Sequence, residues 1–158
     1  MKQIDEDETS FSGSDNNEIM QDAETKEFFD SIVSILAKDG YYTQTENNSI
    51  FFSHGNYRYA VHIIEARSLL IECKVLDFIE DELFFFLRFV NHQNWNFNFT
   101  RFLVDEEDNE KIIIARTWYP VNDSANVSRT FWGAIYATSS SVADFINKLN
   151  NYDKNSNK

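Results

Sequence analysis

Three polar residues at the end of one predicted helix come closest to a chemical site: Asn91, His92 and Asn94. Asn91 and Asn94 are three positions apart, so both amides can face the same neighbouring segment. Histidine can act as a general base, and with Arg101 or Arg116 these residues define one alternative function, a small-ligand site or an enzyme. His92 has no adjacent serine, cysteine or paired carboxylate, and helix ends need capping partners. We therefore predict structural caps and no catalytic residue.

The other reactive side chains do not form a recognisable site. His54 and His62 lie on separate predicted elements and lack the spacing of zinc or iron ligands. Cys73 is the only cysteine, which excludes a disulfide within the chain, and it shares strand parity with apolar neighbours, so we predict a buried, inert thiol. The four glycines are too dispersed for a phosphate-binding loop. We predict no metal and no cofactor.

Apolar periodicity predicts the elements that position these side chains. In chain order they are a helix from Thr25 to a stop at Gly40, strands at 41–45, 50–53, 57–64 and 69–76, a helix at 80–94, strands at 97–104 and 111–119, and a helix from Ser128. Strands grouped between single helices predict an α+β fold, with an antiparallel sheet and helices packed on one face.

Charge and composition bound the domain organisation and the partners. Of the net charge of −12, residues 1–27 contribute −7, from nine acids and two lysines. We predict an acidic tail without regular structure at 1–23, one domain at 24–150 and a polar tail at 151–158. The acidity disfavours nucleic acid and anionic membranes and favours basic clients. With no secretion signal or membrane-spanning run evident, we expect a cytoplasmic protein.

The order of elements and three short motifs carry a resemblance to a known family. The motifs are a helix ending in Val90-Asn91-His92-Gln93-Asn94, the strand Phe102-Leu103-Val104-Asp105 and the strand Lys111-Ile112-Ile113-Ile114. Over residues 25–150 this pattern resembles the YbjN-like family of bacterial proteins, which shares the fold of type III secretion chaperones. The resemblance implies a small dimeric domain that acts as a regulator or chaperone-like binding protein. The turn after Asp105 is longer and more acidic than that pattern.

A surplus of aromatic residues indicates the functional surface. Phe84, Phe85, Phe86 and Phe89 point in different directions around one helix, so we predict that Phe85 or Phe86 is exposed in the monomer and covered by a partner. We therefore predict a non-enzymatic regulatory or chaperone-like homodimer that binds a protein or peptide, with an immunity-type effector-binding protein as a further alternative. The predicted partner-binding residues are Phe85, Phe86, Trp95, Trp118, Tyr119 and Trp132.

Overall fold

The computed structural model describes residues 23–64, 68–95, 99–107, 109–121 and 126–156, with side chains described as far as residue 152. Its elements are α1 (Ala23–Lys38), β1 (Thr43–Glu46), β2 (Ser49–His54), β3 (Tyr57–Ile63), β4 (Ser68–Phe78), a short 3-10 helix (Glu80–Glu82), α2 (Leu83–Asn94), β5 (Thr100–Glu107), β6 (Glu110–Pro120) and α3 (Val127–Ser156). The predicted α+β class and order of elements are confirmed.

The six strands form one antiparallel sheet in the order β1-β2-β3-β4-β6-β5. Two-residue turns join the first three strands, and Asn47 and Gly55 in these turns have φ angles of 50° and 61°. Asparagine and glycine tolerate such positive φ angles, which is why these turns fold tightly. Because β6 lies between β4 and β5, the last two strands extend the meander and leave β5 at the edge.

The described helices pack on one face of the sheet, as predicted. Phe102 of β5 stacks on Phe145 of α3, with ring centroids 4.1 Å apart, and Phe78 of β4 contacts Phe86 of α2 at 4.5 Å. Strand side chains alternate between two faces, so every second residue points into this layer. The inward side chains of the central strands include Ile50, Val61, Ile71, Ile113 and Ala115, all fully buried.

Two serines of α3 form hydrogen bonds with side chains of the sheet. Ser139 Oγ lies 2.7 Å from the hydroxyl of Tyr59, and Ser141 Oγ lies 3.0 Å from Thr100 Oγ1. Thr100 Oγ1 also lies 2.9 Å from Thr117 Oγ1, so the hydroxyls of β5 and β6 join the same group. Buried hydroxyls need such partners, and the serines thereby fix the register of α3 over the sheet.

The ends of the chain differ from the sequence-based boundaries. The predicted acidic tail, residues 1–23, lies outside the described residues except for Ala23, which begins α1. At the other end, α3 continues to Ser156 and takes in most of the predicted polar tail at 151–158. Tyr152 explains part of the extension, because its ring packs 5.6 Å from Phe85 and 5.7 Å from Phe89. The predicted strand start at Phe97 lies outside the described residues, and β5 begins at Thr100.

Candidate functional site

The sheet face turned away from the helices, called the open face below, is the candidate functional site. Because side chains alternate along a strand, every second residue of β2, β3, β4, β6 and β5 lies on this face. The ring contacts and hydrogen bonds that join the sheet to α3 are made by the other residues of these strands, on the opposite face. Its members are Ser49, Phe51, Ser53, Arg58, Ala60, His62, Leu70, Glu72, Lys74, Asp77, Arg101, Leu103, Asp105, Glu107, Ile112, Ile114, Arg116 and Trp118.

A strip of apolar surface crosses the open face. Trp118 of β6 is 49% exposed and lies directly opposite half-buried Leu70 of β4, while Phe51 of β2 is 36% exposed. Phe99, which is 68% exposed, extends the strip toward β5, because its carbonyl accepts a hydrogen bond of 3.4 Å from the Trp118 amide. The outward apolar residues Ile114 and Trp118 of β6 therefore lie on this face. Grouped exposed aromatics of this kind mark binding surfaces.

A polar network crosses four strands beside the apolar strip. Ser49 Oγ lies 2.8 Å from His62 Nδ1, and His62 Nε2 lies 3.3 Å from Glu72 Oε2. The other oxygen of Glu72 accepts hydrogen bonds of 2.7 and 2.6 Å from Nε and Nη2 of Arg116. Because a carboxylate only accepts, His62 Nε2 is the donor to Glu72. Phe51 packs edge-on against the His62 ring.

This connectivity contains the three residue types of a Ser-His-acid triad, yet it lies on a flat sheet face. A triad also requires donors aimed at a developing oxyanion and a pocket that positions the substrate. The Glu72 carboxylate, moreover, is held by Arg116, so the network is balanced within itself. The chemistry that the arrangement supports best is recognition, in which Arg116 is positioned near Trp118 by an ion pair to Glu72.

Positive charge gathers at the centre of the open face, in contrast to the acidity of the whole chain. Arg101 and Arg116 are directly opposite each other on β5 and β6, and Glu72 is opposite Arg116 on the other side. Arg58 is exposed on the same face of β3. Like charges placed side by side on a sheet are unfavourable unless an anion lies near them. The expectation that acidity around the site favours basic clients was drawn from the net charge, which does not describe the centre of this face.

Lys74 shows where the basic centre ends. Its ammonium lies 2.8 Å from Asp77 and 3.1 Å from Glu107, both on the side of the face remote from Trp118. Hydrogen bonds from these two carboxylates hold the pKa of Lys74 above its usual value. The ammonium of Lys111 is likewise bound by Glu106, and that hydrogen bond raises its pKa. Acidic residues therefore neutralise the lysines at one end, whereas Glu72, Arg116 and Arg101 lie side by side in the middle and Arg58 lies level with Lys74.

Asn94, one of the predicted helix caps, forms hydrogen bonds with the backbone of the edge strand β5. Its Nδ2 donates to the Phe102 carbonyl at 2.9 Å, and its Oδ1 accepts from the Phe102 amide at 2.7 Å. The amide group thus replaces a peptide of a neighbouring strand. Asp105 acts similarly, because its Oδ1 accepts the Glu106 amide at 2.8 Å. Since edge strands pair readily with other chains, these side chains limit strand addition at β5. The Asn94 side chain therefore satisfies backbone groups of β5, which is a structural role.

The structure does not assemble the alternative small-ligand site. Asn91 and His92 are exposed on α2, in the helix layer, whereas Arg101 and Arg116 belong to the open face. A wide, shallow depression of about 770 Å³ lies instead between α1 and the start of α3, and is lined by residues such as Lys26, Asp30, Ser34 and Asn126. Across the described ranges, no group of three or more histidine, cysteine, aspartate or glutamate side chains is placed to hold a metal.

The predicted exposure of Phe85 or Phe86 is wrong for Phe86. Phe86 is 7% exposed and packs on Phe78, while Phe85 is half-buried and stacks on Phe89. The exposed phenylalanine is Phe84, at 81%. A helix advances about 100° per residue, so an error of one position in the orientation of α2 exchanges which phenylalanine faces solvent. The surplus apolar surface on this helix is real, but a different residue carries it.

The outward side of α2, called the α2 surface below, is a second apolar region. Phe84, Leu87 and Trp95 are 81%, 37% and 91% exposed, and Arg88 and Asn91 lie between them along the helix. Spacings of three and four residues align these side chains along one side. The predicted binding residue Trp95, directly after α2, therefore lies on the same side of the helix as Phe84 and Leu87, separated from them by Arg88 and Asn91.

The remaining predicted binding residues lie apart from one another. Tyr119 points into the helix layer, where a side chain at Gly133 would meet its hydroxyl at 3.3 Å, so glycine permits this close approach. Trp132 packs against Tyr41 and His54, with ring centroids 5.6 Å away in both cases. Of the six predicted residues, only Trp118 lies on the open face.

The network of Ser49, His62, Glu72 and Arg116 was missed by sequence reasoning, although part of it was accessible. The predicted turn at 54–56 fixes the hairpin register, and counting back from it pairs Ser49 with His62. The pairing of Glu72 with Arg116 was not accessible, because it joins strands 44 residues apart through a crossover.

Cys73 and Tyr59 are opposite each other on neighbouring strands, and both are buried in the core. Desolvation raises the pKa of Cys73 to about 12 and that of Tyr59 to about 12. Their ordinary values are 9.0 and 10.0. The thiol is therefore protonated and a poor nucleophile at neutral pH, which agrees with the predicted inert cysteine.

These raised pKa values predict a loss of stability in alkali. A group that ionises more easily in the unfolded chain stabilises the fold below its unfolded pKa, and that stability is lost as the pH rises toward its folded pKa. We expect the free energy of unfolding, measured by urea denaturation, to fall from pH 9 upward. In Cys73→Ala the decline should begin about one pH unit higher, where only Tyr59 contributes. An identical pH profile for both proteins would contradict the assignment to Cys73.

Comparisons with known proteins establish the fold of this chain. No family model matches, and no curated protein matches. Among solved structures, the chain is similar to YbjN from E. coli, described as a candidate transcription regulator, with a TM-score of 0.60 and 10% sequence identity. The match covers 78% of this chain and 92% of YbjN. The likeness is one of fold, and it places the molecule in the YbjN-like α+β class. None of the described helices has the length and apolar character needed to span a bilayer.

Proposed function

We propose that this chain is a non-enzymatic regulatory or chaperone-like domain that binds an acidic, partly apolar segment of a protein partner on its open face. The observation that carries the proposal is the apolar strip around Trp118 and Leu70 beside Arg58, Arg101 and Arg116, within a chain of net charge −12. Aromatic and arginine side chains together are the usual energetic centres of protein interfaces.

The chemistry of each half of the site supports this partner. Apolar anchors of a bound segment would cover Trp118 and Phe51, which gains the free energy of burying exposed aromatic surface. Carboxylates of the same segment would accept charge-assisted hydrogen bonds from the arginines. The segment would lie across the strands, because Asn94 and Asp105 already bind backbone groups at the β5 edge. The segment would therefore bind to the face of the sheet and would not add a strand at its edge.

The fold neighbour fits a regulatory role of this kind. YbjN is described as a candidate transcription regulator, and control through a protein contact requires a binding face but no catalytic residue. For this chain we propose that the regulatory event is occupancy of the open face, in the cytoplasm that the sequence leads us to expect.

A homodimer formed through the α2 surface is the second part of the proposal. Glu80, Asp81 and Glu82 precede α2, and Arg88 lies further along its exposed side. If two copies pair antiparallel about a two-fold axis, the acids of each face the arginine half of the other, and Phe84 and Leu87 meet near the axis. A two-fold contact uses the same patch twice, and this patch is complementary to itself in charge.

A peptide titration tests the open face directly. We expect a synthetic decapeptide of alternating Glu and Leu, added to the full 15N-labelled chain, to shift the amide resonances of Ala60, Leu70, Arg116 and Trp118. The same peptide with Lys in place of Glu should bind about tenfold more weakly, since two or three exposed charge contacts each contribute up to about 1 kcal/mol. Shifts that map to the α1 and α3 surfaces, or equal affinity for both peptides, would refute the proposal.

A further inference from the structure

The chain itself contains a segment with the chemistry that the open face requires. Residues 1–22 carry seven acidic residues and one lysine, together with the apolar residues Ile4, Phe11, Ile19 and Met20. Four of the acids are consecutive, from Asp5 to Glu8, and Phe11 follows three positions later. This order of acids and then an aromatic matches a face on which arginines adjoin Trp118.

We infer that residues 1–22 occupy the open face of their own chain and compete with the external partner. The inference rests on the proposed function, because it names an internal occupant for the same surface. The acids lie near Arg58, Arg101 and Arg116, and Phe11 covers the Trp118 strip. Binding of the external segment then requires displacement of residues 1–22, so the domain restrains its own activity.

The length of the segment permits this placement. α1 begins at Ala23 in the helix layer, so the chain must pass around the sheet to reach the other face. Twenty-two residues span up to about 70 Å when extended. A domain of this size has a radius of gyration of only about 14 Å. The reach is therefore several times what the path around one sheet edge requires.

Tethering makes a weak contact sufficient. A segment joined to the domain has an effective concentration in the millimolar range, so it occupies the face even when the free peptide binds only at similar concentrations. Exposed ion pairs are individually weak and screened by salt. Occupancy should consequently be sensitive to ionic strength and to partners that supply a better apolar anchor.

Paramagnetic NMR on the full chain locates the segment. A nitroxide label is attached to Ser10→Cys, where Cys73 does not compete because it is buried. We expect broadening of the amides of His62, Leu70 and Trp118, with the amides of α3 near Tyr136 unaffected, and we expect the broadening to fade in 1 M salt. Broadening confined to α1 and its neighbours, or spread evenly over the domain, would overturn the inference.

Charge variants separate the specific contact from general attraction. Arg58→Glu with Arg101→Glu should remove most of the broadening at Trp118. Lys38→Glu with Arg129→Glu changes the net charge equally but lies in the helix layer, and should leave the broadening intact. A mixture of two chains, one with the nitroxide but no 15N and the other with 15N but no nitroxide, tests whether the broadening arises between chains. Broadening of the open face in that mixture would contradict binding within one chain.

The outcomes also distinguish this inference from the proposed function. If the nitroxide leaves the open face unaffected but the Glu-Leu peptide still binds there, only the internal occupant is refuted. If neither the segment nor the peptide reaches the face, both proposals fail.

Discussion

Phe102→Ala is expected to lower the free energy of unfolding by about 3 to 5 kcal/mol, the range for removing a fully buried phenylalanine. The ring is 0% exposed, and it stacks on Phe145 at 4.1 Å with an interplanar angle of 18°. It joins the edge strand β5 to α3, so its loss leaves a cavity between the sheet and the helix layer. Urea denaturation followed by circular dichroism provides the measurement.

Phe99→Ala is the matched control for that change. The same atoms are removed from a ring that is 68% exposed and lies outside the proposed dimer contact, so we expect a change within about 0.5 kcal/mol. Similar losses for the two variants would mean that Phe102 and the α3–β5 contact are not oriented as described.

Phe84→Glu is expected to weaken homodimerisation by at least about 100-fold. The substitution occurs twice at a two-fold contact, and each copy places a charge at the centre of the interface, where single residues contribute most to the binding free energy. The wild-type chain should have the mass of a dimer in light scattering at micromolar concentration, and the variant the mass of a monomer. Folding should be unaffected, since Phe84 is in the first turn of α2, where a glutamate is favoured by the helix dipole.

Tyr136→Glu controls for surface charge and lost aromatic area. Tyr136 is 63% exposed on α3, away from the α2 surface, so this variant should remain dimeric. A monomeric wild-type chain, or equal dissociation of both variants, would exclude the α2 surface as the dimer contact. The binding of acidic peptides to the open face would be unaffected by that result.

Local patterns were sufficient to predict most of the elements. Alternation in β4 and the spacing of apolar residues in α1 gave the correct element types, because each pattern matches the geometry of one backbone conformation. Gly40 ends α1 as predicted: it has a φ angle of 84°, and the following amide of Tyr41 donates to the Leu36 carbonyl at 2.9 Å. These features depend on neighbours a few residues apart.

Features that depend on tertiary contacts were predicted less well. Consecutive phenylalanines give no sharp apolar direction, so the orientation of α2 is decided by Phe78 and Phe145, which contact Phe86 and Phe89. The polar end of α3 was assigned to a tail by composition, but the Tyr152 ring packs on α2. Helix ends are commonly decided by such packing more than by propensity.

The candidate site was predictable only in part. Trp118, one of the predicted binding residues, is 49% exposed on the open face, and its role in binding stays a prediction. Sequence reasoning considered Arg101 and Arg116 for a small-ligand site but did not group them on this surface. They are close because β6 pairs with both β4 and β5, and their spacing along the chain gives no sign of this. Net charge gives no information about such a grouping, since it averages over all faces of the molecule.

Reversal of charge at the open face is the measurement that tests the central claim most directly. In the full chain with Arg58→Glu and Arg101→Glu, we predict that the peptide preference reverses, so that the Lys-Leu decapeptide binds more tightly than the Glu-Leu decapeptide and shifts the same amides near Trp118. Lys38→Glu with Arg129→Glu should retain the original preference. An unchanged preference for the Glu-Leu peptide after charge reversal would contradict recognition by the open face.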